Sequence, residues 1–204
     1  MRRSITQRLR REDSGFTLIE LTATMAVFGI FLAAVALVLG GAIRNSSAVE
    51  DQASSQAETR PAVDSLAGEL RQGYSDSTLP NWPYAIQTWN GTTLTFYTPD
   101  RQSPYHMLLV SYRLSGGELQ RAVATSTNTA SGPWSGVAAG NLGAYRTLAR
   151  SVTNSTLFTY WQNNGTTPAT TLANLAFVRI TVTVSPRGSQ GRTSSYIVNA
   201  SLRT

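Results

Sequence analysis

One carboxylate, Glu20, lies inside a long run of apolar residues that extends from Phe16 to Ile43. Three threonines are the only other polar residues in this run: Thr17, Thr22 and Thr24. A charged side chain in a membrane helix costs about 2–4 kcal/mol near its centre and less near the interface, so it usually has a partner. Phe16 is four residues before Glu20, which places both on one face of a helix. Glu20 is therefore a candidate for a specific polar contact; the alternative is that it only extends to the membrane interface.

The apolar run is long enough to cross a membrane. A helix over residues 16–43 would be about 40 Å long, whereas the hydrocarbon core is about 30 Å thick. Five arginines precede the run: Arg2, Arg3, Arg8, Arg10 and Arg11. Positive charge stays on the cytoplasmic side. We expect a cytoplasmic N-terminus, a single span in the inner membrane and an extracytoplasmic remainder. A secretory signal peptide would have a shorter apolar core, but a plain uncleaved anchor remains open.

The composition leaves little room for catalysis. The 204 residues include no cysteine and one histidine, His106, which excludes disulfides and thiol chemistry. The sequence has no phosphate-binding loop, nucleophile elbow or zinc-protease motif. We therefore expect no enzyme activity, no cofactor and no metal site. The net charge of +6 makes nucleic-acid binding possible, but no basic, aromatic-interleaved stripe supports it.

The segment Ser14-Gly15-Phe16-Thr17-Leu18-Ile19-Glu20-Leu21 resembles the prepilin-type signal of type IV pilins and pseudopilins. The resemblance implies that prepilin peptidase cuts between Gly15 and Phe16 and methylates the new amine of Phe16. It also implies that Glu20 aligns an incoming subunit through a neighbour's N-terminal amine. Removal of Gly15 would give Phe16 a free ammonium group, which could pair with Glu20 within the chain or between neighbours.

Residues 44–73 show apolar side chains at helical spacing, among them Val63, Leu66 and Leu70. This pattern predicts an amphipathic helix that continues the stalk and packs on a sheet, with Gly73 as its end. Pro61 interrupts the pattern. Either the helix bends near Arg60, or a new helix begins with Pro61 in its first turn.

Residues 74–204 are rich in strand formers, and we expect an extracytoplasmic β-domain. The strands predicted by alternation and turn residues are 94–97, 107–114, 118–124, 157–161, 178–184 and 196–202. Ser115-Gly116-Gly117 should close a hairpin that resembles one in larger minor pilins and J-type pseudopilins. Residues 142–152 are predicted to form a short helix, and residues 126–139 and 162–171 to form surface loops. Pro186-Arg187-Gly188 is the predicted turn before the last strand.

These elements predict an α+β, pilin-like fold with four parts: a cleaved leader (1–15), a transmembrane helix (16–43), an amphipathic helix (44–73) and a β-domain (74–204). The predicted function is that of a non-catalytic minor pilin or pseudopilin. Expected partners are other pilin or pseudopilin subunits, prepilin peptidase, the inner-membrane assembly platform and membrane lipid. The alternative is a membrane-anchored exported binding domain, such as an adhesin or a DNA-capture module. The sequence does not separate pilus, type II secretion and competence systems.

Overall fold

The computed structural model describes residues 16–76, 84–129, 132–185 and 193–201. The chain divides into two compact units, one ending at Ser46 and the other beginning at Ser47. Four features of the sequence lie outside the described residues: the predicted leader with Gly15, Trp82, the turn at Pro186-Arg187-Gly188, and Leu202 at the end of the last predicted strand.

A single helix, α1, extends from Leu18 to Arg71 and contains Pro61. Of the two alternatives at Pro61, the one in which a new helix begins there is therefore wrong. Proline inside a helix costs about 3 kcal/mol because it removes a hydrogen bond and crowds the preceding turn. The turns that follow Pro61 offset this cost by burial, since Val63, Leu66 and Leu70 are at most 1% exposed.

The predicted end of the helix is nearly correct, but the reason for its glycine differs. α1 ends at Arg71, and the N–H of Gly73 donates to the carbonyl of Leu70 at 3.0 Å. A Cβ at position 73 would lie 3.0 Å from that carbonyl oxygen and 3.1 Å from the Cβ of Ala85. A side chain at position 73 would therefore force these neighbouring atoms to move by a few tenths of an ångström.

Within the described residues, eight strands follow α1 and form two antiparallel sheets. The first sheet has the order β1-β2-β3-β4-β5 and the second the order β6-β7-β8, so each strand pairs with its neighbour in sequence. The strands are β1 (Ile86–Trp89), β2 (Thr93–Pro99), β3 (Met107–Ser115), β4 (Glu118–Thr125), β5 (Arg146–Ala149), β6 (Phe158–Trp161), β7 (Phe177–Val184) and β8 (Ser194–Ser201). The predicted strands are confirmed over their described residues, whereas β1 was not predicted.

The β3–β4 hairpin confirms the predicted turn. Ser115 pairs with Glu118, and Gly116 and Gly117 have φ values of 60° and 74°. Two consecutive residues with positive φ give the turn twist that matches paired strands, and glycine adopts this conformation without steric cost.

The short helix predicted at residues 142–152 is wrong. Arg146–Ala149 form β5, which pairs with β4 through Leu119 opposite Ala149 and Arg121 opposite Arg146. The hydroxyl of Thr147 also donates to Glu118 of β4 at 2.6 Å. Pairing with β4 therefore overrides the weak local preference of this segment.

The end of α1 and both sheets share one hydrophobic core. Leu66 and Leu70 of α1 meet Phe96 and Tyr112 of the first sheet and Ile180 of the second in one buried cluster. Alternate residues of β7 supply its inner face, as Val178, Ile180, Val182 and Val184 are all 0% exposed. This packing confirms the predicted α+β arrangement of a long N-terminal helix on antiparallel strands.

Candidate processing and assembly site

The first part of α1 exposes large apolar side chains along its length. Phe16, two residues before α1, is 85% exposed, and Leu37 is 79% exposed. Exposed apolar surface on this scale indicates contact with a membrane or with other proteins. By length and composition α1 can span a membrane. Among the candidate site residues, Phe16 and Glu20 both lie at the start of this apolar segment.

Thr17 and Glu20 cap the beginning of α1. The backbone N–H of Thr17 donates to Oε2 of Glu20 at 3.0 Å, and the Thr17 hydroxyl donates to the same atom at 3.1 Å. In return, the Thr17 hydroxyl accepts from the backbone N–H of Glu20 at 3.3 Å. This reciprocal pattern is a capping box, in which a threonine and a glutamate three residues later satisfy free backbone donors.

The capping box gives Glu20 a partner that our reasoning from the sequence missed. The pattern Thr-x-x-Glu before an apolar run was the signal that could have found it. The nitrogen of Phe16 belongs to the peptide bond with Gly15, so it carries no ammonium charge in this chain. The contacts of the Glu20 carboxylate come from Thr17 instead. A carboxylate in this position is also favoured by the partial positive charge of a helix N-terminus.

The next two threonines bond within the helix. The hydroxyl of Thr22 donates to the carbonyl of Ile19 at 3.0 Å, and that of Thr24 donates to the carbonyl of Glu20. Both hydroxyls therefore have local acceptors, as polar groups in an apolar environment require. The polar residues of the apolar run can thus lie in lipid without unpaired hydroxyl donors.

Residues 10–42 match the family model of the prokaryotic N-terminal methylation motif. The match includes Gly15, Phe16 and Glu20 and nearly all of the apolar run, so the chain carries a type IV pilin-like prepilin signal. The match covers the N-terminal segment alone and indicates a precursor of the type IV pilin or pseudopilin type. No curated protein matches the chain significantly.

Beyond the prepilin signal, the polar candidates of the β-domain have structural partners. Nδ1 of His106 lies 2.9 Å from the carbonyl oxygen of Ser126, and its backbone N–H donates to Asp100 at 2.8 Å. The hydroxyl of Tyr74 donates to Asp76 at 3.2 Å. Among the residues that the structure describes, no three His, Cys, Asp or Glu side chains come together as a metal site.

Three of the four tryptophans belong to the packing of the domain. Trp89 meets Tyr160 edge-to-face at 5.0 Å, and Trp134 meets Tyr74 in the same way at 4.9 Å. The guanidinium of Arg179 lies 4.9 Å from the ring centre of Trp161. These contacts favour a packing role over a binding surface.

A polar cluster joins α1 to the first sheet and was missed by sequence reasoning. Arg121 forms a two-point contact with Glu69, at 2.8 Å and 3.2 Å, and the Tyr112 hydroxyl donates to Glu69 at 2.9 Å. Burial, and then the charge of Glu69, raise the pKa of Tyr112 well above its usual value. Burial by itself lowers the pKa of Arg121, but the hydrogen bond and charge of Glu69 outweigh it and raise that pKa.

Proposed function

We propose that this chain is a minor pilin or pseudopilin that is cut between Gly15 and Phe16 and then assembles into, or initiates, a type IV pilus-like filament. The observation that carries the proposal is the methylation motif at residues 10–42, which lies at the start of a helix able to span a membrane. The β-domain at the far end of the chain would make the lateral or tip contacts of the subunit. The role of the subunit is structural, and a separate assembly ATPase would supply the energy for filament assembly.

The capping box supports a specific role for the cut. Before the cut, Thr17 provides both polar contacts of the Glu20 carboxylate. The cut would place an ammonium on Phe16, one residue before Thr17, and methylation would keep its positive charge. A charged donor binds a carboxylate more strongly than a neutral N–H does. The new amine of the same chain, or of a neighbour, would therefore compete with Thr17 for Glu20.

The N-terminus of the protein in its native host tests the proposed cut. We expect mass spectrometry of the membrane fraction to show a chain that begins with methylated Phe16. The variant Gly15→Leu should remain uncut, because a bulky side chain replaces the small residue before the scissile bond, whereas the neighbouring Ser14→Ala should be processed. Retention of Met1 in membranes that contain active prepilin peptidase would overturn the proposal.

Two variants separate the proposed assembly role of Glu20 from its capping role. Glu20→Ala removes both roles, whereas Thr17→Val removes the hydroxyl of the cap and leaves the carboxylate. We expect Glu20→Ala to be cut normally. Its incorporation into filaments should fall about tenfold or more, because the buried amine of Phe16, in the same chain or in a neighbour, would lose its charged partner. Thr17→Val should assemble nearly as well as the parent. Equal incorporation of Glu20→Ala and the parent would reduce Glu20 to a helix cap.

A further inference from the structure

β8 forms a long edge of the second sheet that no other described strand covers. The sheet has the order β6-β7-β8, so β8 pairs with β7 on one side alone. Its eight residues, Ser194–Ser201, pair with β7 in one continuous register. They include no charged residue and no proline, which commonly protect an edge strand from pairing with another chain. The edge of β8 is therefore open to an added strand.

The other sheet edges among the described strands are better protected. β1 and β5 are the edges of the first sheet; each has four residues, and the pairing of each contains a register shift. β6 also has four residues, and its free side is partly covered. There the N–H of Phe158 donates to Gly91 at 3.1 Å, and Tyr160 accepts from Ala169 at 2.9 Å. Within the described part of the chain, β8 is thus the longest regular edge.

Alternate residues of β8 direct their backbone groups away from β7. Arg71 of α1 donates to the carbonyl of Asn199 at 3.1 Å, so Asn199 faces the free side. The hydrogen-bonding groups of a strand alternate between its two sides, and Ser195 and Ile197 therefore face the same way. Both residues are exposed, Ile197 at 63%. Their backbone N–H and carbonyl groups have no partner among the described residues.

The pairing of β7 supports this assignment. Thr181 of β7 donates its N–H to Leu157 at 2.8 Å, on the side of the sheet where β6 lies. Its neighbour Ile180 therefore bonds towards β8, where it lies opposite Val198. Ile197, next to Val198, faces the free side.

A groove of about 650 Å³ lies between α1 and the first residues of this edge. It is lined by Ala53, Gln56, Ala57 and Arg60 of α1 and by Ser194, Ser195 and Tyr196 of β8. Arg60 is exposed, and its side chain has no ion-pair or hydrogen-bond partner among the described residues. Asp64, about one helical turn further along α1, does not line the groove. The groove thus places a positive charge beside unpaired backbone groups.

These features fit an extended peptide that carries a carboxylate. In an antiparallel pair, hydrogen-bonded residues opposite each other exchange two bonds, so a peptide opposite Ser195 and Ile197 would form four. The peptide residue opposite Tyr196 would direct its side chain to the same face as Tyr196, where the groove lies. A carboxylate there would meet Arg60. A β-branched residue opposite Ile197 would pack on its exposed side chain.

A second copy of this chain is a poor source of such a segment. Its described edge strands β1, β5, β6 and β8 contain no aspartate or glutamate. We infer that β8 binds an extended acidic segment of a different protein, which adds a strand to the second sheet. This binding requires neither the cut after Gly15 nor entry into a filament, so it goes beyond the proposed function.

A short synthetic peptide tests the binding. The probe is Thr-Val-Glu-Val-Thr with both ends blocked and a fluorophore at one end, and fluorescence anisotropy measures its binding to the full chain in non-ionic detergent micelles. We expect saturable binding. Replacement of the glutamate of the probe by glutamine should weaken it about fivefold, because an exposed ion pair contributes modestly. Absence of saturable binding would overturn the inference.

Methylation of the peptide nitrogens tests whether the probe adds a strand. The N–H groups of its valines would donate to Ser195 and Ile197, whereas that of its glutamate would point away from β8. N-methylation of the valine before the glutamate should weaken binding about tenfold or more, since it removes one bond and blocks close approach. N-methylation of the glutamate should have little effect. The two methylated probes are isomers of similar micelle affinity, and equal binding by both would contradict strand addition.

Variants of the chain test the position of the site. Ile197→Pro removes one N–H on the free side, where an edge strand tolerates proline, and should weaken binding of the glutamate probe about tenfold or more. Arg60→Gln should weaken it about fivefold and leave the glutamine probe unaffected. Arg146→Gln, at an exposed arginine of β5, is the matched control.

Two results with these variants would overturn the inference. Unchanged binding of the glutamate probe by Arg60→Gln would remove the reason for an acidic partner. A dimer of the parent chain that Ile197→Pro dissociates, measured by sedimentation in the same micelles, would assign the edge to a second copy. If Ile197→Pro does not fold, the two methylated probes still decide between strand addition and another mode of binding.

Discussion

Leu37 and Leu66 are the same residue type in the same helix, but their surroundings are opposite. Leu37 is 79% exposed, whereas Leu66 is 0% exposed and lies in the shared core of the β-domain. Membership of the helix therefore does not decide whether a leucine is exposed or buried; the packing around each part of the helix does. The first part of α1 presents apolar surface for lipid or other subunits, while the last turns are buried by the strands of their own chain. The two regions should thus respond differently to equivalent changes.

The largest difference should appear when each leucine is truncated. Leu66→Ala should lower the free energy of unfolding by about 2–5 kcal/mol, because it removes buried contacts and leaves a cavity. Leu37→Ala should change it by less than about 0.5 kcal/mol, as expected for an exposed site. Urea denaturation of the full chain in detergent micelles, followed by tryptophan fluorescence, measures both. Equal destabilisation by the two variants would contradict the division of α1 into two regions.

The polar cluster at the end of α1 should give an intermediate effect. Glu69→Gln removes the negative charge that holds Arg121 and Tyr112 and should cost about 1–3 kcal/mol of folding free energy. The side chains of Glu69 and Arg121 are about a quarter exposed, so solvent screening reduces this cost. The same denaturation experiment measures it. Asp64→Asn, on the same helix but exposed, is the matched control. If Glu69→Gln lowered the free energy of unfolding no more than Asp64→Asn does, the cluster would not contribute to stability.

The smallest effect concerns alkaline pH. Burial raises the pKa of Tyr112, so above the ordinary tyrosine pKa of about 10 the unfolded chain loses its proton first. The free energy of unfolding should therefore fall as pH rises above 10, by at most about 1.4 kcal/mol per pH unit from this group. Burial also raises the pKa of Tyr160 and Tyr97, which add to the fall.

Tyr112→Phe isolates the contribution of one tyrosine. Denaturation of the parent and the variant at pH 9, 10 and 11 should show a shallower decline in the variant. Parallel declines would assign the alkaline loss to the other buried tyrosines.

The sequence predicted correctly those parts of the fold that depend on a pattern among neighbouring residues. Gly116 and Gly117 identified a turn, and the alternation of β7 identified a strand with one buried face. β5 was missed because it is only four residues long and is defined by pairing with β4.

The same distinction holds for side-chain contacts. The pairing of Glu69 with Arg121 joins residues 52 positions apart, which no local pattern indicates. The cap formed by Thr17 and Glu20 spans only three residues and could have been predicted.

The strand order has a consequence for how the domain folds. Each strand of both sheets pairs with a strand adjacent in sequence, and no later strand inserts between two earlier ones. Each strand therefore finds its partner in the segment next to it in sequence. A chain that arrives end-first through a membrane can add β1 to β5 in order, and then β6 to β8, without waiting for its C-terminus. At each stage the growing first sheet has two edges, β1 and the newest strand, and each added strand covers the edge that the strand before it left unpaired.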